Sequence, residues 1–152
     1  MGTTLVPVGR HRAPVSTVED VLELVRRNGG RVTASRRSLL AALFEARGHR
    51  TAEELAAAVQ VHARDVNLST IYRILEELER LGVVVHSHLG HGPATYHLAA
   101  GAHGHFVCEG CGTLIEAPDE LFAGLSKRVR AQFDFEIDPH HFAVQGRCRD
   151  CR

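Results

Sequence analysis

The chain of 152 residues carries 18 Lys and Arg against 18 Asp and Glu, and 44% of its residues are hydrophobic. These values suit one medium domain or two small ones, and no apolar run approaches the roughly 20 residues of a membrane span. Charge is distributed unevenly: residues 1–50 hold nine Arg against four acids, whereas residues 99–152 hold six basic residues against eight acids. This asymmetry predicts two domains with different tasks, although ordinary solvated charge would also produce it.

The N-terminal part reads as an arm followed by three helices. Residues 1–15 contain Pro, Gly and Arg without periodicity and lack the features of a secretory signal, so we expect a flexible arm and a cytoplasmic protein. Ser16 and Glu19 have the spacing of a capping box and predict the first helix. A second helix is predicted to begin near Thr33 or Ser35, and the capping box in "TAEE" predicts a third.

The stretch "LSTIYRILEELERLG" predicts a fourth, amphipathic helix. Its apolar residues recur at helical spacing from Ile71 to Leu81, whereas Tyr72 and Arg73 lie off that face. Two strands follow in "VVVHSH" and "ATYHL", joined by a Gly- and Pro-containing turn. This order of elements is typical of a winged helix-turn-helix domain, which we place at residues 16–98.

The remainder predicts a hinge and a small α/β domain, so the fold class is α+β. The small residues at 99–102 form the hinge, and residues 103–152 form the second domain. Strands are predicted in "HFVC", "TLIEA", "FEI" and "FAVQG", with a helix over residues 119–133.

Four cysteines form two C-x-x-C pairs, "CEGC" and "CRDC". In a reducing compartment such pairs favour a structural zinc site, because four thiolates make a closed tetrahedral ligand set. A redox dithiol and buried thiols are the alternatives. The predicted zinc ligands are Cys108, Cys111, Cys148 and Cys151.

A helix-turn-helix inserts the exposed first turns of its second helix into the major groove. This geometry predicts that Ser69, Tyr72 and Arg73 contact DNA. Thr33 and Arg36, at the start of the second helix, suit phosphate contacts, which position a protein without reading sequence. Since one winged helix binds weakly, we expect a homodimer on a palindromic double-stranded operator.

The sequence resembles the ferric uptake regulator family of bacterial metal-sensing repressors. The resemblance rests on "RVTASRR", "LSTIYRILEELERLGVV", "HGHFVCEGCG" and "GRCRDC", and it covers about residues 20–151. Within that family, "HLGHGPATYHLA" and "HHFAVQGRC" are most similar to the nickel-responsive branch. The resemblance implies a C-terminal dimerisation domain and a regulatory metal bound between the two domains.

Six of the eleven histidines lie between residues 86 and 108. His103 and His105 alternate by two, so an extended segment directs both to one side. His49 matches a ligand of the family, and His97 is our candidate to complete the set. These four histidines are the predicted regulatory site, called the hinge site below. A surface or core role is the alternative for any single histidine.

His86 and His88 alternate in the same way, and with His141 they resemble the second metal site of the nickel-responsive branch. These three residues are called the second site below. Glu116 and His140 remain available as ligands for a further site of the wider family.

The chain also departs from the family pattern. Gly101, Ala102 and Gly104 occupy positions where the family carries a histidine-rich run, and Ala123 stands where many relatives have a glutamate ligand. A further site of the wider family is therefore expected to be lost or altered.

The expected function is a metal-dependent transcriptional repressor with structural zinc. Imidazole ligands suit nickel, zinc, copper or cobalt, and we rank nickel first as the regulatory metal, then zinc, then iron. An iron-dependent peroxide sensor of the same family is an alternative. A zinc enzyme is disfavoured because the sequence has neither an H-E-x-x-H nor an H-x-E signature.

Overall fold

The computed structural model describes residues 15–46, 48–88, 92–100, 104–138 and 143–152. Within these ranges, none of the helices has both the length and the apolar character needed to cross a membrane. The elements in chain order are α1 (Val18–Arg27), α2 (Ala34–Glu45), β1 (Arg50–Thr51), α3 (Ala52–Gln60), α4 (Leu68–Arg80), β2 (Val84–His88), β3 (Ala94–Leu98), β4 (Gly104–Cys108), β5 (Leu114–Ala117), α5 (Glu120–Phe133), β6 (Ala143–Gly146) and a 3₁₀ turn (Arg149–Cys151).

The start of α1 differs by one residue from the prediction. Thr17 is the N-cap, and its side chain accepts a hydrogen bond from the backbone N–H of Asp20, whose carboxylate accepts from the N–H of Thr17. The predicted capping box of Ser16 and Glu19 is therefore wrong. Glu19 instead pairs with Arg37 and so links α1 to α2.

The caps predicted for the next two helices are confirmed. The Thr33 hydroxyl accepts the backbone N–H of Arg36 at 3.2 Å, which starts α2. Thr51 and Glu54 form a reciprocal capping box at the start of α3. Each cap satisfies backbone donors that have no partner inside the helix.

The apolar faces of α1 to α4 pack into one core with the first sheet. Leu22, Leu39, Leu55, Ile71 and Leu75 are almost completely buried there. The sheet has the order β1-β3-β2 with antiparallel pairing throughout. Helices followed by this hairpin form the predicted winged helix-turn-helix.

The second sheet has the order β5-β4-β6, with β5 antiparallel and β6 parallel to β4. The strand predicted at residues 135–137 is wrong, because those residues have no regular structure. Strand β4 is already paired along both edges, and Asp134 ends α5 in the left-handed region (φ 48°), leaving Phe135 exposed.

The two parts of the chain differ greatly in how much hydrophobic side chain they bury. From residue 104 onward, the buried hydrophobic residues in the described part are Cys108, Ala117 and Phe122. The exposed large hydrophobic residues there are Ile115, Leu121, Leu125, Phe133, Phe135 and Val144. A domain with so little core needs another source of stability, such as a metal or a partner.

Arg36 is buried between α2 and α4, with 7% of its surface exposed. Its guanidinium donates to the carbonyl oxygen of Arg31 and to the carboxylate of Glu77 on α4. The expected contact between Arg36 and a DNA phosphate is therefore wrong. A buried arginine whose fork is occupied by two protein acceptors cannot also reach a phosphate.

We predict that Arg36→Ala lowers the free energy of unfolding by about 2–3 kcal/mol, because it leaves the half-buried Glu77 carboxylate without its cation. Arg37→Ala is the matched control, since its pair with Glu19 is exposed and is expected to contribute less than about 1 kcal/mol. Urea denaturation of both variants measures the difference. Equal losses would contradict the structural role of Arg36.

Candidate metal centres and DNA-contact surface

The four cysteines converge at one end of β4. Cys108 ends that strand, and Cys111 follows in the turn. Cys148 precedes the 3₁₀ turn after β6, and Cys151 is its last residue. Their sulfur atoms all lie within 4.8 Å of one another, and Cys111 Sγ is 3.8 Å from Cys148 Sγ. Tetrahedral zinc with bonds of about 2.3 Å places its sulfur ligands about 3.8 Å apart. The cluster is therefore compatible with structural zinc.

Local backbone geometry explains why the cysteines can approach. A Cβ on Gly110 would lie 2.8 Å from Cβ of Cys151, and Gly112 has a φ of +73°. Both positions therefore favour glycine. The backbone N–H of Cys148 donates to Sγ of Cys108 at 3.3 Å, and this hydrogen bond links the two C-x-x-C pairs.

The thiols of this cluster differ in pKa. Hydrogen bonds from the backbone N–H groups of Cys148 and Cys111 lower the pKa of Cys108 to about 6. The Thr113 hydroxyl lowers the pKa of Cys111, whereas hydrogen bonding to the other thiols raises the pKa of Cys151 to about 12. The cluster thus already favours thiolate at Cys108 near neutral pH, and a bound metal would displace the remaining protons.

Three histidines of the predicted hinge site come together between the two sheets. His49 precedes β1, His97 lies on β3 and His105 lies on β4. The ring centroid of His49 is 4.4 Å from that of His97 and 4.6 Å from that of His105. His97 and His105 are buried. The fourth predicted ligand, His103, lies outside the described residues.

One pair of nitrogens in this cluster has nearly the separation expected of two ligands on one metal ion, although among the described residues only the four cysteines bring three or more ligand atoms close together. Nε2 of His49 and Nε2 of His105 lie 2.8 Å apart. Two nitrogens bound to a metal at about 2.1 Å are separated by about 3.0–3.4 Å, so a shift of a few tenths of an ångström would admit an ion. Glu116 on β5 is the register partner of His105, and its side chain is exposed.

The departures from the family pattern have different structural settings. Gly104 lies against α5, where an added Cβ would be 2.0 Å from the ring of Phe122. This position therefore serves packing rather than ligation. Ala123 is exposed on α5, and Gly101 and Ala102 lie outside the described residues.

His86 and His88 lie on β2 with ring centroids 5.5 Å apart. Nδ1 of His86 contacts the carboxylate of Glu79 on α4. Sequence reasoning missed Glu79, although the tight turn at Gly82 predicts that β2 folds back along the end of α4. His140 and His141 lie outside the described residues.

The predicted DNA-contact residues Ser69, Tyr72 and Arg73 lie in the first turns of α4. Ser69, Tyr72 and Arg73 are exposed, and Asn67 caps the helix. The Tyr72 hydroxyl donates to the carboxylate of Glu53 on α3 at 3.2 Å. Thr33 is exposed at the start of α2, where its hydroxyl serves as a cap.

A winged helix-turn-helix joined to a cysteine cluster and an interdomain histidine cluster defines a metal-responsive DNA-binding regulator. The model of the ferric uptake regulator family matches residues 27–145, and the chain belongs to this family. The family consists of dimeric, DNA-binding transcription regulators rather than enzymes, as predicted. The mixed helices and small sheets described above confirm the predicted α+β fold class.

Individual relatives agree with this assignment. The manganese-containing structure of the ferric uptake regulator from Pseudomonas aeruginosa is 32% identical, with a TM-score of 0.66 over 84% of this chain and 96% of that one. The ferric uptake regulator of Helicobacter pylori has a TM-score of 0.72 at 23% identity, over 90% and 94% of the two chains. The peroxide-responsive repressor PerR of Staphylococcus saprophyticus is 26% identical over 135 residues, which cover 89% of this chain and 91% of that protein.

We predict that Gly104→Ala lowers the free energy of unfolding by about 1–3 kcal/mol, because the added methyl group forces the Phe122 ring away from β4. Gly146→Ala is the matched control, since a Cβ at this position in β6 meets open space. We expect that variant to stay within about 0.5 kcal/mol of the parent protein. Urea denaturation of the zinc-loaded proteins measures both, and a neutral Gly104→Ala would contradict the packing role.

Proposed function

We propose that this protein is a metal-dependent repressor, which binds a palindromic operator as a dimer when a divalent metal occupies the hinge site. The observation that carries the proposal is the convergence of His49, His97 and His105. His97 lies on the first sheet and His49 directly precedes it, whereas His105 lies on the second sheet. A metal bound to all three would hold the two parts in one relative orientation.

The cysteines and the second group of histidines have separate roles in this proposal. Cys108, Cys111, Cys148 and Cys151 hold structural zinc within a domain spanning residues 103–152. His86 and His88, with His141, hold a second metal beside the winged-helix domain of residues 16–98. The Helicobacter pylori regulator is described with three functional metal-binding sites, which supports several sites in one chain.

The operator is read by the first turns of α4. Arg73 is exposed there and suits a guanine edge or a phosphate, while Ser69 and Tyr72 lie on the same exposed end of the helix. Thr33 is a candidate for a phosphate contact. Glu53 lies beside the Tyr72 hydroxyl, so its negative charge opposes a phosphate at that oxygen and favours contact through the tyrosine ring.

A second copy of the chain buries the exposed hydrophobic residues of the C-terminal part in the proposed dimer. These side chains lie on β5, α5, β6 and the segment after α5. Burying them would supply the stability that the small core of this domain lacks. Dimerisation also places two recognition helices on one palindrome.

Nickel is the first candidate for the regulatory metal, followed by zinc and then iron. Imidazole nitrogens dominate the hinge site, and such ligands favour nickel, zinc, copper or cobalt over manganese.

We predict that nickel induces operator binding at a lower free concentration than zinc, iron(II) or manganese. The measurement is a gel-shift titration of zinc-loaded protein on a palindrome typical of the family, with metal-buffered solutions. His105→Ala removes a hinge ligand and should raise the required metal concentration at least tenfold, with unchanged affinity at the second site. Tight binding that ignores every metal would contradict the sensor role.

Arg73→Ala separates DNA contact from metal sensing in the same titration. It should weaken binding at saturating metal by roughly 1–3 kcal/mol while leaving the metal concentration dependence unchanged. Lys127→Ala is the control, because it removes an exposed cation on α5, away from the recognition helix. Equal effects of Arg73→Ala and Lys127→Ala would exclude Arg73 from the interface.

A peroxide sensor is the second candidate, favoured by the similarity to the peroxide-responsive repressor of Staphylococcus saprophyticus. With iron at the hinge site, peroxide would oxidise a neighbouring imidazole of His49, His103 or His105. We predict that mass spectrometry after treatment with iron and peroxide would then show one added oxygen on one of these residues. Nickel-loaded protein is the control, and no oxygen addition in the iron form would contradict this candidate.

A further inference from the structure

Glu79 lies where the recognition helix α4 meets the β2–β3 hairpin, which forms the wing. It belongs to the last turn of α4, and the chain then reverses at Gly82, which has a φ of +71°. The backbone N–H of Val83 donates to the carbonyl of Leu78 at 2.9 Å, which fixes this reversal. As a result, β2 starts beside the helix end and brings His86 to Glu79.

The contact between these residues is specific in its atoms. The Glu79 carboxylate oxygen Oε1 contacts Nδ1 of His86. The two side chains are 24% and 36% exposed, so the contact is half-buried rather than freely solvated. Ser87, between His86 and His88, is fully buried, so the two histidines share the opposite, accessible face of β2.

The contact between Glu79 and Nδ1 of His86 determines which ring nitrogen of His86 is presented to a metal. A carboxylate at Nδ1 stabilises the tautomer with its proton on Nδ1, which makes Nε2 the nitrogen with a lone pair. Metal-bound histidines commonly donate their other N–H to a carboxylate, and that partner fixes the ring and raises its basicity. The His88 ring lies 5.5 Å from the His86 ring at an interplanar angle of 85°. Tyr96 on the neighbouring strand β3 is the register partner of His86, and their ring centroids are 6.2 Å apart.

We propose that Glu79 is a positioning residue of the second site, which holds His86 with its proton on Nδ1 and presents Nε2 to a divalent metal. This inference rests on the second site of the proposed function. It also means that a metal at His86 and His88 is coupled through Glu79 to the recognition helix, in addition to the hinge site. An exposed ion pair of a protonated histidine is the competing explanation.

The first test needs no metal in the second site. In the ¹⁵N NMR spectrum of zinc-loaded protein without other metals, we expect His86 to be the Nδ1–H tautomer. Glu79→Ala should shift His86 toward the more common Nε2–H tautomer, and Glu76→Ala, an exposed acid on the same helix, should not. An Nε2–H or doubly protonated His86 at pH 8 in the parent protein would overturn the inference.

The second test measures nickel affinity in the full-length protein by competition with a chelator. His86→Ala identifies the equivalent that belongs to the second site. Glu79→Ala should weaken that equivalent 10–100-fold, and Glu79→Gln should weaken it less because its amide oxygen still accepts from Nδ1–H. The affinity of the hinge site should stay unchanged in both variants.

The results of these two tests distinguish a failure of the role of Glu79 from a failure of the second site itself. Parent-like affinity in Glu79→Ala would overturn the role of Glu79, and equal losses in the Ala and Gln variants would make Glu79 a metal ligand instead. If the parent protein binds no equivalent that depends on His86, the second site itself fails and this inference fails with it. The tautomer measured by NMR distinguishes that case from a misassigned Glu79.

Discussion

The four-thiol cluster connects segments that hydrophobic packing alone holds weakly. Beyond residue 104 the described residues bury few apolar side chains, whereas the winged-helix part has a continuous core. The cluster joins the end of β4 to the segment after β6, and β4 also carries His105 three residues before Cys108. A metal held by the four thiols, as proposed, would therefore help to fix the strand that carries His105.

The histidine cluster is connected to the predicted DNA-contact helix α4 through α3. His49 precedes the N-cap Thr51 of α3 by two residues, and α3 packs on the recognition helix α4 through the shared core. Arg36 and Glu77 link α2 to the same helix. His49 is thus connected through packed helices to α4, so the metal response that we propose would involve movement of packed elements rather than of the first turn of α4 alone.

The features predicted correctly from the sequence are those with local signals. Helical spacing from Ile71 to Leu78 and the capping residues Thr33 and Thr51 locate helices because they act within a few positions. Arg36 was misassigned because a charged residue gives no local sign that a distant acid, Glu77, neutralises it in the interior. The strand expected at residues 135–137 failed because strand formation depends on a partner strand that is distant in sequence, which a local apolar pattern does not reveal.

The candidate sites show the same division. The two C-x-x-C pairs predict that the four cysteines converge, and the resemblance to the family predicts that His49 and His97 lie near His105. Glu79 could not be found in this way, because its contact with His86 arises from a chain reversal seven residues long.

The close approach of Gly104 to Phe122 restricts how this sequence can diverge. A side chain at position 104 collides with an aromatic ring that belongs to another element, so the two positions cannot vary independently. A histidine at position 104 is therefore expected to be tolerated better with a smaller residue at 122. Across an alignment of relatives, these two columns should therefore change together, and glycine at the first should mark the subgroup that keeps an aromatic residue at the second.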